Sequence, residues 1–246
     1  MNLQELHAYL ERLMGSLKRE DQKLLEARLE GLVSVFPFNE YEYILTFLVD
    51  RGVVCFSDYE KLRENYVSAN RYLDLFGLAP RIFGQVWGEK HLMDLDPRFR
   101  KPDKSLDPDY EGQYDLWFEG VRVEVKAARA IDTKRRGDLA AKALRCDSTA
   151  PFWMNFQQLK LDTCDVFVFI GVWVDQIVYW VMSNDEVTAN KYLSHQHRGG
   201  IEYQIGITNS NITEFDVYKV AAASLANTVA SKGRPKRSTV INSLNG

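Results

Sequence analysis

The chain has 246 residues, with 31 Lys and Arg against 34 Asp and Glu and a formal net charge of −3. Apolar residues make up 46% and aromatics 12%, enough for a packed core, which excludes an intrinsically disordered protein. No run of about 18 apolar residues provides a transmembrane helix, and the start Met1-Asn2-Leu3-Gln4-Glu5 has neither a basic region nor the apolar stretch of a signal peptide. Cys55, Cys146 and Cys164 are too widely spaced for a disulfide framework or a zinc site. A reduced, cytoplasmic protein with no membrane partner is expected.

In chain order, residues 2–14 carry Leu3, Leu6, Leu10 and Leu13 on one stripe ended by Gly15, which predicts a helix. A second, more charged helix is predicted over 21–33, with Leu25, Leu29 and Leu32 inward. Pro37 breaks the pattern; Asn39 then caps a third helix carrying Ile44, Phe47 and Leu48 and closed by Gly52. Ser57-Asp58-Tyr59-Glu60 has the form of a capping box opening a fourth helix that runs to Phe76 before Gly77 and Pro80. Residues 1–80 therefore read as a helical region. The exposed face of its last helix mixes Glu60, Lys61, Arg63, Glu64 and Asn70 and is not strongly basic. Phe83–Met93 predicts a shorter helix, and 94–113, rich in Asp and Pro, a loop.

The most informative stretch is Tyr114 to Lys126. Apolar residues alternate on both sides of Glu119-Gly120, the pattern of two half-buried strands joined by a tight turn. That turn sets Phe118 opposite Val121, Leu116 opposite Val123 and Asp115 opposite Glu124. Tyr114, Leu116, Phe118, Val121, Val123 and Val125 then share a core face, and Asp115, Trp117, Arg122, Glu124 and Lys126 share the other. Like charges facing each other across a sheet cost roughly 0.2–1 kcal/mol. Two carboxylates and a lysine held together make sense around a hard divalent cation, which takes oxygen ligands from one or two carboxylates and leaves the rest to water and phosphate.

Asp115, eight intervening residues and Glu124-Val125-Lys126 resemble the signature of the PD-(D/E)XK nuclease superfamily, the fold of many type II restriction endonucleases. Its "P" position is not matched, because Gln113-Tyr114 precede Asp115. The resemblance covers roughly residues 80–185.

Downstream, small residues lead from Lys126 into a basic segment and a helix expected from about Asp138. Another helix is expected over 152–161, and Asp165–Trp173, apolar on both faces, is a central buried strand. Asp175-Gln176 turns it into Ile177–Met182, expected antiparallel. Hairpin, helical segment and buried strand follow the order of the restriction-endonuclease core. The fold class expected is α/β (α+β), a restriction-endonuclease-like mixed central sheet flanked by helices with an N-terminal helical region. Residues 1–80 would serve dimerisation or DNA recognition, residues 81–230 would form the catalytic domain, and 231–246, with Lys232, Arg234, Lys236 and Arg237, a flexible basic tail.

What the resemblance implies is Mg²⁺-dependent, sequence-specific hydrolysis of double-stranded DNA. Asp115, Glu124 and the backbone carbonyl of Val125 would hold one or two Mg²⁺ ions. Lys126 would orient the attacking water, and Glu89, on the helix before the hairpin, is in the right order to join the catalytic residues. A Gln three residues before a Tyr, found in the RecB-like branch of the superfamily, is not matched: Gln157 and Gln158 are followed by Leu161 and Asp162. Lys160 would reach the site or a phosphate. Arg129, Lys134, Arg135, Arg136 and Lys142 form a basic run expected to grip phosphates, which position without specifying. Gln196, His197 and Arg198, in a polar segment expected to be a loop, suit base edges. No third ligand has the spacing to complete a metal site with His195 and His197. Enzymes of this type work as homodimers on palindromic sites, in a bacterial or archaeal cell and beside a cognate DNA methyltransferase. Two other readings remain open: a structure- or mismatch-specific nicking or repair nuclease on the same fold, and a non-catalytic DNA-binding regulator.

Overall fold

The leucine stripes near the N-terminus form helices, in a computed structural model that describes residues 3–30, 39–197 and 200–233. The molecule is a mixed α/β protein that divides into two units. Among the described residues no helix is long and apolar enough to cross a membrane.

The first unit comprises Met1–Ala79, Arg129–Trp153 and Val172–Ile177. Its helices are α1 (Leu3–Gly15), α2 (Arg19–Glu30), α3 (Asn39–Asp50), α4 (Phe56–Ala69) and the short α5 (Asp74–Gly77). Leu6, Leu10, Leu25, Leu45, Leu48 and Tyr66 are buried between them. The expected capping box at Ser57 does not form. Helix α4 begins two residues earlier, with Cys55 at the N-cap and no side-chain cap bond. It also stops short of Phe76, because the buried Asn70 turns its Nδ2 back to donate to Tyr66 O at 2.7 Å. That bond ends the helix as a cap would. Residues 31–33 of the second predicted helix lie outside the described residues.

The helix expected from Asp138 is a correction. Only a single turn forms there, in which Asp138 Oδ1 accepts from Ala141 N–H, and the segment returns as loop. Backbone bonds tie it into its unit: Leu144 N–H donates to Ala130 O, and Val174 N–H donates to Leu144 O, each at 3.0 Å.

The second unit comprises Pro80–Ala128, Met154–Gly171 and Val178–Gly246. It is built on a six-stranded sheet of order β1-β2-β3-β5-β6-β9, whose strands β3, β5 and β6 end in residues of the first unit. These are β1 (Phe99–Arg100), β2 (Leu116–Phe118), β3 (Val121–Arg129), β5 (Val166–Val172), β6 (Ile177–Ser183) and β9 (Lys219–Val220). Leu116 faces Val123 and Phe118 faces Val121, the register expected from the turn. The turn residues Glu119 and Gly120 have φ of +48° and +94°, as a two-residue hairpin turn requires. Strand β5 lies beside β3 and is buried throughout. It runs parallel to β3, since Asp165 N–H donates to Arg122 O at one end and Ala130 N–H to Val172 O at the other. Trp173 N–H donates to Gln176 O and closes the turn into the neighbouring β6. The sheet is therefore mixed.

The helix expected over 152–161 is a second correction: the segment is β4 (Trp153–Leu159), in a three-stranded sheet of order β4-β8-β7. Met154 and Phe156 point inward with strand spacing, but Gln157 and Gln158 both fall outside before Leu159 returns to the core. Gln158 has φ of +58°, so the alternation slips by one residue at a left-handed kink. An L-residue in this region costs about 1–2 kcal/mol, and a β-branched one fits it worst. Gln158→Val is expected to lower the unfolding free energy in urea by more than about 1 kcal/mol, whereas Gln158→Gly is expected to leave it unchanged or raised. Equal losses in both variants would refute the strain.

The polar segment read as a loop is likewise a strand, β7 (Leu193–His197), paired antiparallel with β8 (Ile201–Thr208). Helix α7 (Ala222–Gly233) carries three residues assigned to the tail. Its last residue lies so close to Val121 that a Cβ on Gly233 would sit 2.4 Å from the valine methyls. Lys232 pairs with Glu186 at 2.7 Å; Arg234, Lys236 and Arg237 lie outside the described residues.

Candidate active site

Four elements of the second unit meet at the charged face of the β2–β3 hairpin. A wide π-helical turn (Ile82–Trp87) runs into α6 (Gly88–Leu95). Gly88 sits against Val125 and Ala127 of β3, because a Cβ there would stand 3.5 Å from Ala127 Cβ and 3.7 Å from Val125 Cγ1. This packing brings Glu89, itself buried, alongside the hairpin. Strand β4 delivers Lys160 from its far end.

Asp115 is fixed by the hairpin backbone. Its own N–H donates to Val123 O, and its Oδ2 accepts the Val125 N–H at 2.9 Å. Its other oxygen, Oδ1, is 3.4 Å from Lys160 Nζ. Glu124, one position further on the facing strand, is completely buried. Its Oε2 is 3.5 Å from the same Lys160 Nζ and accepts from the Cys164 thiol at 3.4 Å. Its Oε1 forms an ion pair with Lys126 Nζ at 2.6 Å. Lys101, from the segment read as a loop, forms an ion pair with Glu89, and Asp115 also acts on its ammonium. Three lysines thus stand among three carboxylates.

Burial raises the Glu124 carboxyl above its ordinary value; Lys126 opposes the rise and Asp115 adds to it. Burial works against the Lys160 ammonium, but Glu124 and Asp115 outweigh it and hold that amine above its usual range. Burial also lowers Lys101 and, together with Glu124, pushes the Cys164 thiol up, so the thiol is a neutral donor here.

The charged face needs a second support. Arg122 shares it, and its guanidinium is held by the buried Asp107, which also accepts the Tyr114 hydroxyl at 2.9 Å. Asp165 Oδ2 accepts the Arg122 N–H at 2.7 Å. Sequence reasoning missed Lys101, Asp107 and Cys164. The first two lie in a stretch with no periodicity, and Cys164 precedes the buried strand with nothing to mark it.

The donor set suits a hard cation that keeps most of its ligands as water. Asp115 and Glu124 offer oxygens, and an ammonium already stands between them. Among the described residues no three His, Cys, Asp or Glu side chains converge into a closed metal cage.

The residues expected to bind DNA are placed differently from one another. Arg129 is half-buried in the first unit, where its Nη1 donates to the carbonyls of Leu75, Phe76 and Leu78 at 2.8–3.2 Å. It satisfies the end of α5, and this burial lowers its pKa to about 10. A phosphate-gripping role does not fit that placement. Lys134, Arg135 and Arg136 are exposed. Arg135, Lys142 and Arg145 line a cavity of about 330 Å³ together with Asp132 and Asp147. In the second unit His197 is exposed, on the same face of β7 as His195, which pairs with Tyr203 of β8, and the two histidine rings are 5.6 Å apart. Gln196 points to the opposite face, and its amide nitrogen is buried. Arg198 lies outside the described residues. No protein-family model, no curated protein and no solved structure matches this chain, so the functional reading rests on the geometry of this site.

Proposed function

We propose that the chain is a divalent-cation-dependent, sequence-specific DNA endonuclease of the PD-(D/E)XK kind, built on a restriction-endonuclease-like sheet and acting as a homodimer on double-stranded DNA. The observation that carries the reading is the seating of Asp115 and Glu124 side by side on the hairpin, with Lys126 against Glu124 and a positive charge drawn in between the two acids. Asp115 and Glu124 would hold one or two Mg²⁺ ions, with the Val125 carbonyl available to them. When bound, such a cation lowers the pKa of coordinated water and offsets charge on the scissile phosphate. Lys126 would then donate to the attacking water or to the phosphate oxygens, stabilising negative charge as it develops. Asp115 is already oriented for this by Val125 N–H, so little rearrangement is required of it. Glu89, one lysine removed from Asp115, would act through Lys101. Exposed Lys134, Arg135 and Arg136 remain available to phosphates, and a cognate methyltransferase would protect the host's own copies of the target sequence.

One observation favours a second reading. Carboxylates already neutralised by lysines also suit a non-catalytic DNA-binding protein that has kept the fold and lost the metal. Purified protein incubated with unmethylated phage DNA separates the two readings. Discrete fragments formed with Mg²⁺ and not with chelator, and lost in Lys126→Ala, are expected. DNA binding without cleavage would reject the endonuclease, and random nicking confined to mismatched or branched substrates would point to a repair nuclease.

A further inference from the structure

We infer that Lys160 is a displaceable counter-ion of the carboxylate pair: with no metal bound its ammonium holds the seat between Asp115 and Glu124, and it yields that seat to a divalent cation. The inference rests on the proposed reading of this pair as a metal site.

Three features single out Lys160 among the lysines. Its Nζ approaches one oxygen of each acid almost equally, at 3.4 Å from Asp115 Oδ1 and 3.5 Å from Glu124 Oε2, whereas Lys126 reaches Glu124 alone. Both separations exceed the 2.7–2.9 Å typical of charge-assisted hydrogen bonds, so the ammonium is held by its charge more than by directed bonds. Its side chain is 38% exposed against 19% for Lys126, and it leaves β4 just beyond the kink at Gln158, so it has an open route to solvent.

A positive charge in that seat is required while the site lacks metal. Glu124 is fully buried beside a second carboxylate, and two acids so placed repel each other strongly without a cation between them. The same charge opposes an incoming divalent cation, because two cations cannot share one seat. Lys160 therefore sets the threshold of metal binding. Once released, its flexible four-carbon stem lets the ammonium turn outward, where a DNA phosphate is the natural new partner.

Titration calorimetry of Mn²⁺ into the full chain tests this directly. Lys160→Gln is expected to bind Mn²⁺ at least about tenfold more tightly than wild type, because the competing charge is gone. Lys160→Arg, which keeps the charge, is expected to show no such gain. Equal or weaker binding by Lys160→Gln, or an equal gain in Lys160→Arg, would overturn the inference. A measurement needing no variant is acetylation of the wild type followed by mass spectrometry: labelling of Lys160 is expected to rise when Mn²⁺ is added, and unchanged or reduced labelling overturns the proposal. Tighter Mn²⁺ binding by Lys160→Gln without any DNA cleavage would uphold the counter-ion and reject the nuclease. Mg²⁺-dependent cleavage with unchanged Mn²⁺ affinity in Lys160→Gln would do the reverse. No Mn²⁺ binding by either protein would overturn both.

Discussion

Glu124→Gln is expected to abolish metal-dependent cleavage and, at neutral pH in chelator, to raise the thermal midpoint. The loss of activity follows from removing a charged oxygen from the proposed metal site, and a fall of at least about a hundredfold is expected. The gain in stability follows from burial. Glu124 is completely enclosed, and the cost of desolvating its charge outweighs the help from Lys126 and Lys160, so the carboxyl sits above its ordinary value of 4.5. A group whose pKa is raised by folding contributes stability that is fully present below the unfolded value and is lost as pH rises through the folded value. At pH 7–8, well above the unfolded value, the acid therefore burdens the fold, and the neutral amide of similar shape does not. The advantage of the variant should be greatest there and should fade towards pH 4, where the wild-type carboxyl is protonated in both states. Calorimetric midpoints from pH 4 to 8 measure it. A variant less stable than wild type at pH 7.5 would show that the lysine contacts outweigh burial. An active site that costs the fold stability is a common consequence of function.

The hairpin was legible because two local rules agreed. A two-residue turn containing Gly120 fixes register, and period-two alternation fixes which side chains share a face; Asp115 and Glu124 followed from both. Strand β5 was legible as an unbroken apolar run. Strand β4 was hidden because its alternation slips at Gln158 and its end, Gln157-Gln158-Leu159-Lys160, is made of good helix formers. Strands β7 and β8 were hidden by polarity, with His195, Gln196 and His197 where apolar residues would have marked a face. Charge patterns were the least reliable guide. Arg129 reads in sequence as part of a basic run, yet it serves three backbone carbonyls of its own chain. Lys101 and Lys160 join the acids through long-range packing, which no local spacing encodes.

Phe169→Ala is expected to be the most destabilising of the substitutions considered, at about 3–5 kcal/mol. Phe169 is wholly buried in the middle of β5, with its ring centroid 5.0 Å from that of Phe156 on β4 and 6.1 Å from that of Phe167. It therefore joins the six-stranded sheet to the three-stranded one inside the second unit. Truncation removes the transfer energy of a phenyl ring and leaves a cavity, because neighbours that belong to two different sheets cannot close in from both sides. The thermal midpoint should fall by on the order of 10 °C. Phe56→Ala is the control: this side chain is 62% exposed, and its loss should change stability by no more than about 0.5 kcal/mol. A loss below about 1 kcal/mol for Phe169→Ala would mean that the two sheets are not joined as described. Because Lys160 follows β4 directly, the same variant should also loosen the hold of its ammonium on Asp115 and Glu124. Mn²⁺ affinity measured well below the lowered midpoint should then rise even though the site itself is untouched, linking the packing of one aromatic ring to the readiness of the carboxylates to take a metal.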